Sequence, residues 1–162
     1  MNSAMPTWQA RNPDFDSVVR GALLAMPFAR LLGLEVRQLE PGRAQVAVAN
    51  RPDLQQGTGF FQAAVIGAVA DLAGGAAAGT LLKPGWGLVT TDFTVKIVAP
   101  GVGSCLLGRG EVVRPGGDGT TVSRADVFSC TDDRERLCAV AFVTTAALEI
   151  ARRSFAANGG TS

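Results

Sequence analysis

Asp71 is the one carboxylate in a run of small and apolar residues that extends from Gln62 to Leu82. Burying an unpaired carboxylate in such a run is strongly unfavourable. The residue must therefore be neutral, have a hydrogen-bonding partner, or take part in a reaction. The chemistry that a single aspartate can perform is proton abstraction from water or direct attack on an electrophilic carbon. The structural alternative is an acid satisfied by threonine or backbone groups in an inactive scaffold.

Histidine is absent from the sequence. This excludes Ser-His-Asp and Cys-His catalytic arrangements and any metal site that uses histidine. Cys105, Cys130 and Cys138 have no CxxC spacing and lie in apolar or strand-like segments, which favours buried reduced thiols over a reactive nucleophile. Nothing in the sequence implies a metal or redox cofactor.

Length, charge and the amino terminus limit the function classes further. The chain has 162 residues, 18% of them charged, and its 15 basic and 14 acidic residues are scattered without blocks. This predicts one globular domain and no nucleic-acid partner, because nucleic acid requires a basic surface. The first residues, MNSAMPTWQARNPDFD, lack the basic and apolar regions of a secretory signal, which predicts a cytoplasmic protein.

The apolar run is long enough to span a bilayer, which takes about 20 residues. However, an aspartate near its centre costs about 3 kcal/mol on the membrane-insertion scale, and no aromatic belt flanks the run. We therefore predict a buried central helix over about residues 62–82, ended by Lys83-Pro84-Gly85, and no membrane association.

The segments that must position this helix lie on both sides of it. Residues 14–32 contain an amphipathic pattern that predicts a short helix, ended or kinked at Met26-Pro27. The apolar side of this helix consists of Val18, Val19, Leu23 and Leu24. Residues 34–39 and 43–50, with Pro41-Gly42 between them, predict a strand, a turn and a strand.

Four further strand-like segments follow the long helix. They are separated by Pro-Gly, Gly-rich and Asp-rich breaks and cover residues 88–98, 104–114, 120–129 and 137–147. The last of them is apolar on both faces, so we expect it to lie inside the sheet.

Runs of strands that are separated from the helices favour an α+β fold with an antiparallel sheet. A helix of about 20 residues that is apolar all round must be surrounded. Together these patterns predict the hotdog fold, in which a curved antiparallel sheet of five to six strands wraps around one long central helix. We expect a single domain over 1–162, with its core at about 27–147, a loose arm at 1–13 and a tail at 151–162.

The residues around the start of the long helix resemble the hotdog acyl-CoA thioesterases of the phenylacetic-acid-degradation (PaaI-like) family. In that family a loop with a polar amide is followed six positions later by His-Gly-Gly at the start of the helix, and an aspartate follows nine residues after the histidine. Here Gln56 takes the amide position, Gln62-Ala63-Ala64 the next and Asp71 the last. The segments PFARLLGLEV, VTTDFTVKIVAPGVG and GRGEVVRPG also resemble the family's strands.

The resemblance implies roles for these residues in acyl-CoA hydrolysis without a cofactor. The backbone N–H of Ala63 would polarise the thioester carbonyl, and Asp71 would act as general base or nucleophile. Gln56 could position the attacking water, and Thr90, which matches a Ser/Thr that the family places beside the acid, could hydrogen-bond Asp71 or the water. The residues expected to bind substrate are Gln62, Gly59, Phe61 and Ala64.

The sequence departs from the family at the start of the helix, where Gln62 replaces the histidine and Ala63 and Ala64 replace two glycines. Ala63 still supplies an N–H at the positive end of the helix dipole. Its methyl group narrows the approach to that N–H, and a glutamine cannot titrate. These changes predict an altered substrate, a lower rate, or a non-catalytic hotdog module that binds acyl-CoA or a similar ligand.

Ala63 and Asp71 are eight residues apart on one predicted helix, which separates them by about 12 Å along its axis. One carbonyl group cannot touch both. Two such helices, antiparallel across a twofold axis, would bring Asp71 of one subunit near Ala63 of the other. The chemistry therefore implies an isologous homodimer, and many hotdog proteins pair further into homotetramers. A hotdog hydratase or dehydratase is disfavoured, because these enzymes use an Asp-His pair and the chain has no histidine.

The sequence leaves the acyl group open. Phe60, Phe61 and Trp86 lie near the ends of the predicted helix and could line a pocket for an aryl or medium-chain group. Core packing explains the three aromatic residues equally well.

Overall fold

The apolar run forms the helix around which the fold is built. A computed structural model describes residues 7–132 and 134–150 of the chain. These residues contain three α-helices. Phe15–Ala25 (α1) and Pro27–Leu32 (α2) precede the sheet, and Ala63–Gly79 (α3) follows its first two strands. Most residues of α3 are buried, as expected for a helix that is apolar on every side. No helix in the described part of the chain is long and apolar enough to cross a membrane.

The sheet has six strands, all antiparallel to their neighbours, in the order β1-β2-β4-β5-β6-β3. The strands are Leu34–Glu40 (β1), Arg43–Ala49 (β2), Trp86–Ile97 (β3), Cys105–Arg114 (β4), Thr120–Thr131 (β5) and Arg134–Glu149 (β6). This arrangement of one sheet and a central helix confirms the predicted α+β hotdog fold. The last strand, β6, is paired on both sides, as its apolar faces predicted.

Helix α3 is shorter than its apolar run. It ends at Gly79, and the following residues continue as tighter turns, because the N–H of Leu81 donates to the carbonyl of Ala78 and that of Leu82 to the carbonyl of Gly79. The buried hydroxyl of Thr80 joins this end to the β1–β2 turn. It donates to the carbonyl of Ala77 and accepts from the N–H of Gly42, both at 2.7 Å.

Helix α1 lies against α3, and α2 packs against α1 and β1. The helices α1 and α2 meet at Met26-Pro27, as predicted, and the left-handed Gly33 ends α2. The apolar side of α1 is less buried than its sequence suggested, because Val18 and Leu24 are 49% and 44% exposed. Val19 and Leu23, on the same helix, belong to the core.

The predicted arm and tail lie partly outside the described residues. Within residues 7–13, Trp8 packs against the core, where it covers Gly42, and Arg11 forms an ion pair with Asp118. This part of the arm is therefore held against the domain. Residues 151–162, the predicted tail, lie outside the described residues.

Helix and sheet approach each other closely where β4 crosses α3. A side chain at Gly110 would place its Cβ 2.1 Å from the carbonyl oxygen of Ala73. We expect Gly110→Ala to lower the free energy of unfolding by about 3 kcal/mol, at the upper end of the usual range for overpacking, measured by urea denaturation. Gly21→Ala is the matched control, because nothing lies within 4 Å of its Cβ position on the exposed α1. An unchanged urea midpoint for Gly110→Ala would show that the two backbones can separate at little cost.

Candidate active site

The carboxylate of Asp71 lies on α3, where it faces the first half of β3. The residue is partly buried, and the hydroxyl of Thr90 donates a hydrogen bond of 2.7 Å to its Oδ1. This is one of the two contacts that the sequence suggested for Thr90. No other hydrogen bond to Asp71 occurs among residues 7–132 and 134–150, so its second oxygen remains open to a reacting group.

The geometry of β3 directs Thr90 toward the acid. Thr90 pairs in register with Thr145 of β6, whose side chain is buried on the α3 side of the sheet. The register shifts between Thr90 and Asp92, which leaves Thr91 as a bulge directly after the contact. Bulges reorient the strand locally and are frequent beside active sites.

The start of α3 presents the second group of predicted site residues. The side-chain oxygen of Gln62 accepts a hydrogen bond of 2.9 Å from the N–H of Ala63, the donor that the sequence assigned to the substrate. The next N–H, that of Ala64, has no acceptor among the described residues. All three residues are exposed, and the positive end of the helix dipole points outward between them.

The loop before α3 is a compact turn. Its ends meet where the N–H of Gln56 donates to the carbonyl of Phe60 at 2.8 Å, and Gly59 has a φ of +81°, a conformation that favours glycine. Gln56 and Gly59 are exposed at the same end of the helix as Ala63. Phe61 is only 2% exposed and belongs to the core, so packing accounts for this residue without a substrate.

The structure therefore brings the predicted residues together in two groups. Asp71 and Thr90 form one group, and the helix start with its loop forms the other. The continuous helix from Ala63 to Gly79 contains both Ala63 and Asp71, which keeps them about 12 Å apart along its axis. Within one chain the two groups do not form a single site.

Asp71 and Thr90 line a groove of about 460 Å³ between α1, α3 and the start of β3. Trp86 lines this groove, whereas Phe60 and Phe61 do not. Sequence reasoning missed the contribution of α1, which supplies Val18 and Ala22 to the opposite wall. The sequence did carry a signal, because the apolar side of α1 includes Val18 and Leu24 in addition to the two residues that the core buries.

Two of the three cysteines, Cys130 and Cys138, are poor nucleophiles in this fold. All three are free, and burial raises the pKa of Cys138 to about 11. Burial, together with a hydrogen bond to Cys105, raises the pKa of Cys130 to about 12. Because the thiolate is the reactive form, these shifts support the interpretation of structural thiols for Cys130 and Cys138.

Solved structures that resemble this chain include several thioesterases. A thioesterase family protein from Silicibacter pomeroyi is 31% identical, with a TM-score of 0.80 over 83% of this chain and 98% of that chain. The PaaI protein from the phenylacetic acid degradation operon of E. coli is 16% identical, with a TM-score of 0.74 over 86% of this chain and 96% of that one.

A thioesterase from Haemophilus influenzae has a TM-score of 0.71 at 19% identity, over 80% of this chain and 87% of that chain. At such identities the second and third structures support the fold alone. No family model matches the chain, and no curated protein does so.

Proposed function

The chain belongs to the hotdog-fold thioesterase family that includes the PaaI-like proteins, and from this premise we propose that it hydrolyses acyl-CoA thioesters between the two subunits of a homodimer. The observation that carries the proposal is the hydrogen-bonded pair of Asp71 and Thr90 beside an apolar groove. A carboxylate with one free oxygen in such a place suits a base or a nucleophile.

The edge of the sheet supports the dimer. Strand β3 is paired with β6 on one side and with no described strand on the other. Its 12 residues include the exposed apolar side chains of Val89, Phe93 and Ile97. A long apolar edge strand is prone to pair with another chain. Twofold pairing at this edge would place the α3 helices of the two subunits antiparallel, so that each Asp71 lies near Ala63 of the partner subunit.

In the proposed reaction the acyl-CoA carbonyl oxygen accepts a hydrogen bond from the N–H of the partner subunit's Ala63. This donor and the helix dipole stabilise the negative charge that develops on the oxygen. Asp71 removes a proton from water while the water oxygen bonds to the carbonyl carbon. When the intermediate collapses, the C–S bond breaks and the proton on Asp71 passes to the leaving CoA thiolate. The partner subunit's Gln56 positions the water.

Direct attack by Asp71 is the other route, and it would form an acyl anhydride that water then cleaves. Turnover in ¹⁸O-labelled water separates the two routes, because water that opens the anhydride at the aspartyl carbon leaves label in the protein. Label in the Asp71 peptide, measured by mass spectrometry, would indicate the nucleophile. Water that opens the anhydride at the acyl carbon leaves the protein unlabelled, so the base is indicated only when the Asp71 peptide carries no label and hydroxylamine traps no acyl adduct on Asp71 during turnover.

The direct test of the proposed function is release of free thiol from a panel of acyl-CoAs. We expect the wild-type protein to release CoA catalytically from at least one of them. A protein that binds acyl-CoA without releasing thiol would instead be the non-catalytic module. One observation favours that second candidate: the side chain of Gln62 occupies the N–H of Ala63 that the reaction needs.

The contact between Gln62 and Ala63 leads to a prediction. A substrate carbonyl must displace the glutamine oxygen, so we expect Gln62→Ala to raise kcat/KM about two- to tenfold, in line with a net hydrogen-bond energy of about 0.5–1.5 kcal/mol. Steady-state kinetics with the best acyl-CoA measures this change. Gln55→Ala is the control, because Gln55 bonds to Asn50 and not to the helix start. A fall in kcat/KM for Gln62→Ala would contradict the competition and support Gln62 as a substrate-binding residue.

A further inference from the structure

We propose that the groove between α1, α3 and the start of β3 holds the acyl chain, and that it selects uncharged acyl groups of medium length, or with an unsubstituted aromatic ring, over acetyl and hydroxylated groups. This inference rests on the proposed function, because it assigns the substrate class of that same site.

The size and position of the groove fit such a ligand. Its volume of about 460 Å³ lies within the range of about 300–1,000 Å³ that is usual for small-molecule sites. It extends from Asp71 along α3 to Gly79, which is about 12 Å at 1.5 Å per residue. An acetyl group would fill a small part of this length, whereas an octanoyl or phenylacetyl group would contact most of the apolar wall.

Small residues on α3 give the groove its depth. Gly75 and Gly79 line its floor, and a Cβ at Gly75 would meet nothing closer than the Leu88 side chain at 3.9 Å. The space at Gly75 is therefore open to a ligand and is not filled by neighbouring packing. Val18 and Ala22 of α1 lie on the opposite wall, and Val18 is half exposed there.

The chemistry of the walls selects against polar acyl groups. Of the described residues that line the groove, Asp71 and Thr90 alone carry an oxygen on the side chain, and they are hydrogen-bonded to each other. No lysine or arginine is among them. The nearby Lys83, whose Nζ lies 4.0 Å from the centre of the Trp86 ring, forms an ion pair with Asp118. The indole N–H of Trp86 is the one other side-chain hydrogen-bond donor of this lining, so a carboxylate or hydroxyl far from the thioester and out of reach of that N–H would lose water without gaining a partner.

The test compares chain-length profiles of the wild-type protein and two tryptophan variants of α1. Ala22→Trp fills the groove from its exposed wall, whereas Ala25→Trp adds the same side chain at an exposed position that does not line it. We expect Ala22→Trp to lower the ratio of kcat/KM for octanoyl-CoA to kcat/KM for acetyl-CoA by about tenfold or more. Ala25→Trp should retain the wild-type dependence of kcat/KM on chain length.

A second comparison uses the wild-type protein alone. Its kcat/KM for phenylacetyl-CoA should exceed its kcat/KM for 4-hydroxyphenylacetyl-CoA by about tenfold to a hundredfold.

A binding measurement separates this inference from the proposed function. The ligand is a thioether analogue of octanoyl-CoA, which cannot be hydrolysed, and its affinity is measured by calorimetry. If no acyl-CoA is hydrolysed but the analogue binds and Ala22→Trp weakens it about tenfold, the groove is an acyl site in a non-catalytic protein. An unchanged profile and unchanged binding in Ala22→Trp, or a preference for acetyl or hydroxylated acyl groups, would overturn the inference.

Discussion

Asp71→Asn is expected to lower kcat/KM for the best acyl-CoA by about 10²- to 10⁴-fold, the usual loss when a general base is removed. The amide keeps the size of the side chain and still offers an oxygen to the hydroxyl of Thr90, whose bond to Asp71 is 2.7 Å long. It can neither accept a proton from water nor attack a carbonyl. The fold and the groove should therefore remain while hydrolysis stops. Release of free thiol measures the rate.

The control for this variant is Asp92→Asn, which removes an acid from an exposed position two residues beyond Thr90 on β3. We expect its turnover to stay close to the wild-type value. The Asp71 variant should still bind the thioether analogue, which separates lost chemistry from lost binding. Turnover that survived Asp71→Asn would assign the base to another residue.

The second large effect concerns the open edge of the sheet. Phe93→Asp is expected to produce a monomer and to lower kcat/KM by about 10²- to 10³-fold, because an active site would then lose the partner subunit's N–H donor. Phe93 is 45% exposed, and its ring lies 3.7 Å from the Cβ position of Gly67 on α3. A carboxylate at this position resists edge-to-edge pairing, since charges that point inward from an edge strand prevent association.

Light scattering on a sizing column measures the mass of this variant and also distinguishes a wild-type dimer from a tetramer. Val113→Asp is the matched control, because Val113 is 53% exposed but lies on β4, which is paired with strands on both sides. We expect it to keep the wild-type mass and activity. A monomeric wild-type protein that hydrolyses acyl-CoA, or an active monomer of Phe93→Asp, would rule out the shared site.

Elements that depend on the local sequence pattern were predicted well, whereas pairings between distant segments were not. The apolar run predicted α3 because burial decides the state of such a segment. Its end was misplaced by three residues, since apolar character continues through Leu81 and Leu82 while the hydroxyl of Thr80 and the tighter turns end the helix. Hairpin pairings follow from short turns, but the pairing of β3 with β6 joins distant segments and has no local signal.

The site was predictable where it depends on residue type and spacing. Asp71 was singled out as the one carboxylate of the apolar run, and its contact with Thr90 was among those that the family resemblance implied. The hydrogen bond from Ala63 to Gln62 could not be foreseen, because it depends on the rotamer of one exposed side chain. The contribution of α1 to the groove was missed for a related reason. The pattern of α1 shows that Val18 is apolar but does not show which neighbour covers it.

The unbroken course of α3 from Ala63 to Gly79 restricts how such a protein can change. Each residue inserted between Ala63 and Asp71 would shift the acid by about 1.5 Å and rotate it by about 100°, away from Thr90. A single insertion or deletion there cannot be absorbed locally, as it could be in a loop. The spacing between Asp71 and the start of the helix can therefore change only in steps of about one helical turn. Helix α1 is outside this constraint, so its residues can be substituted one at a time. Diversification among descendants of this sequence should accordingly appear in the wall of the groove and not in the spacing along the helix.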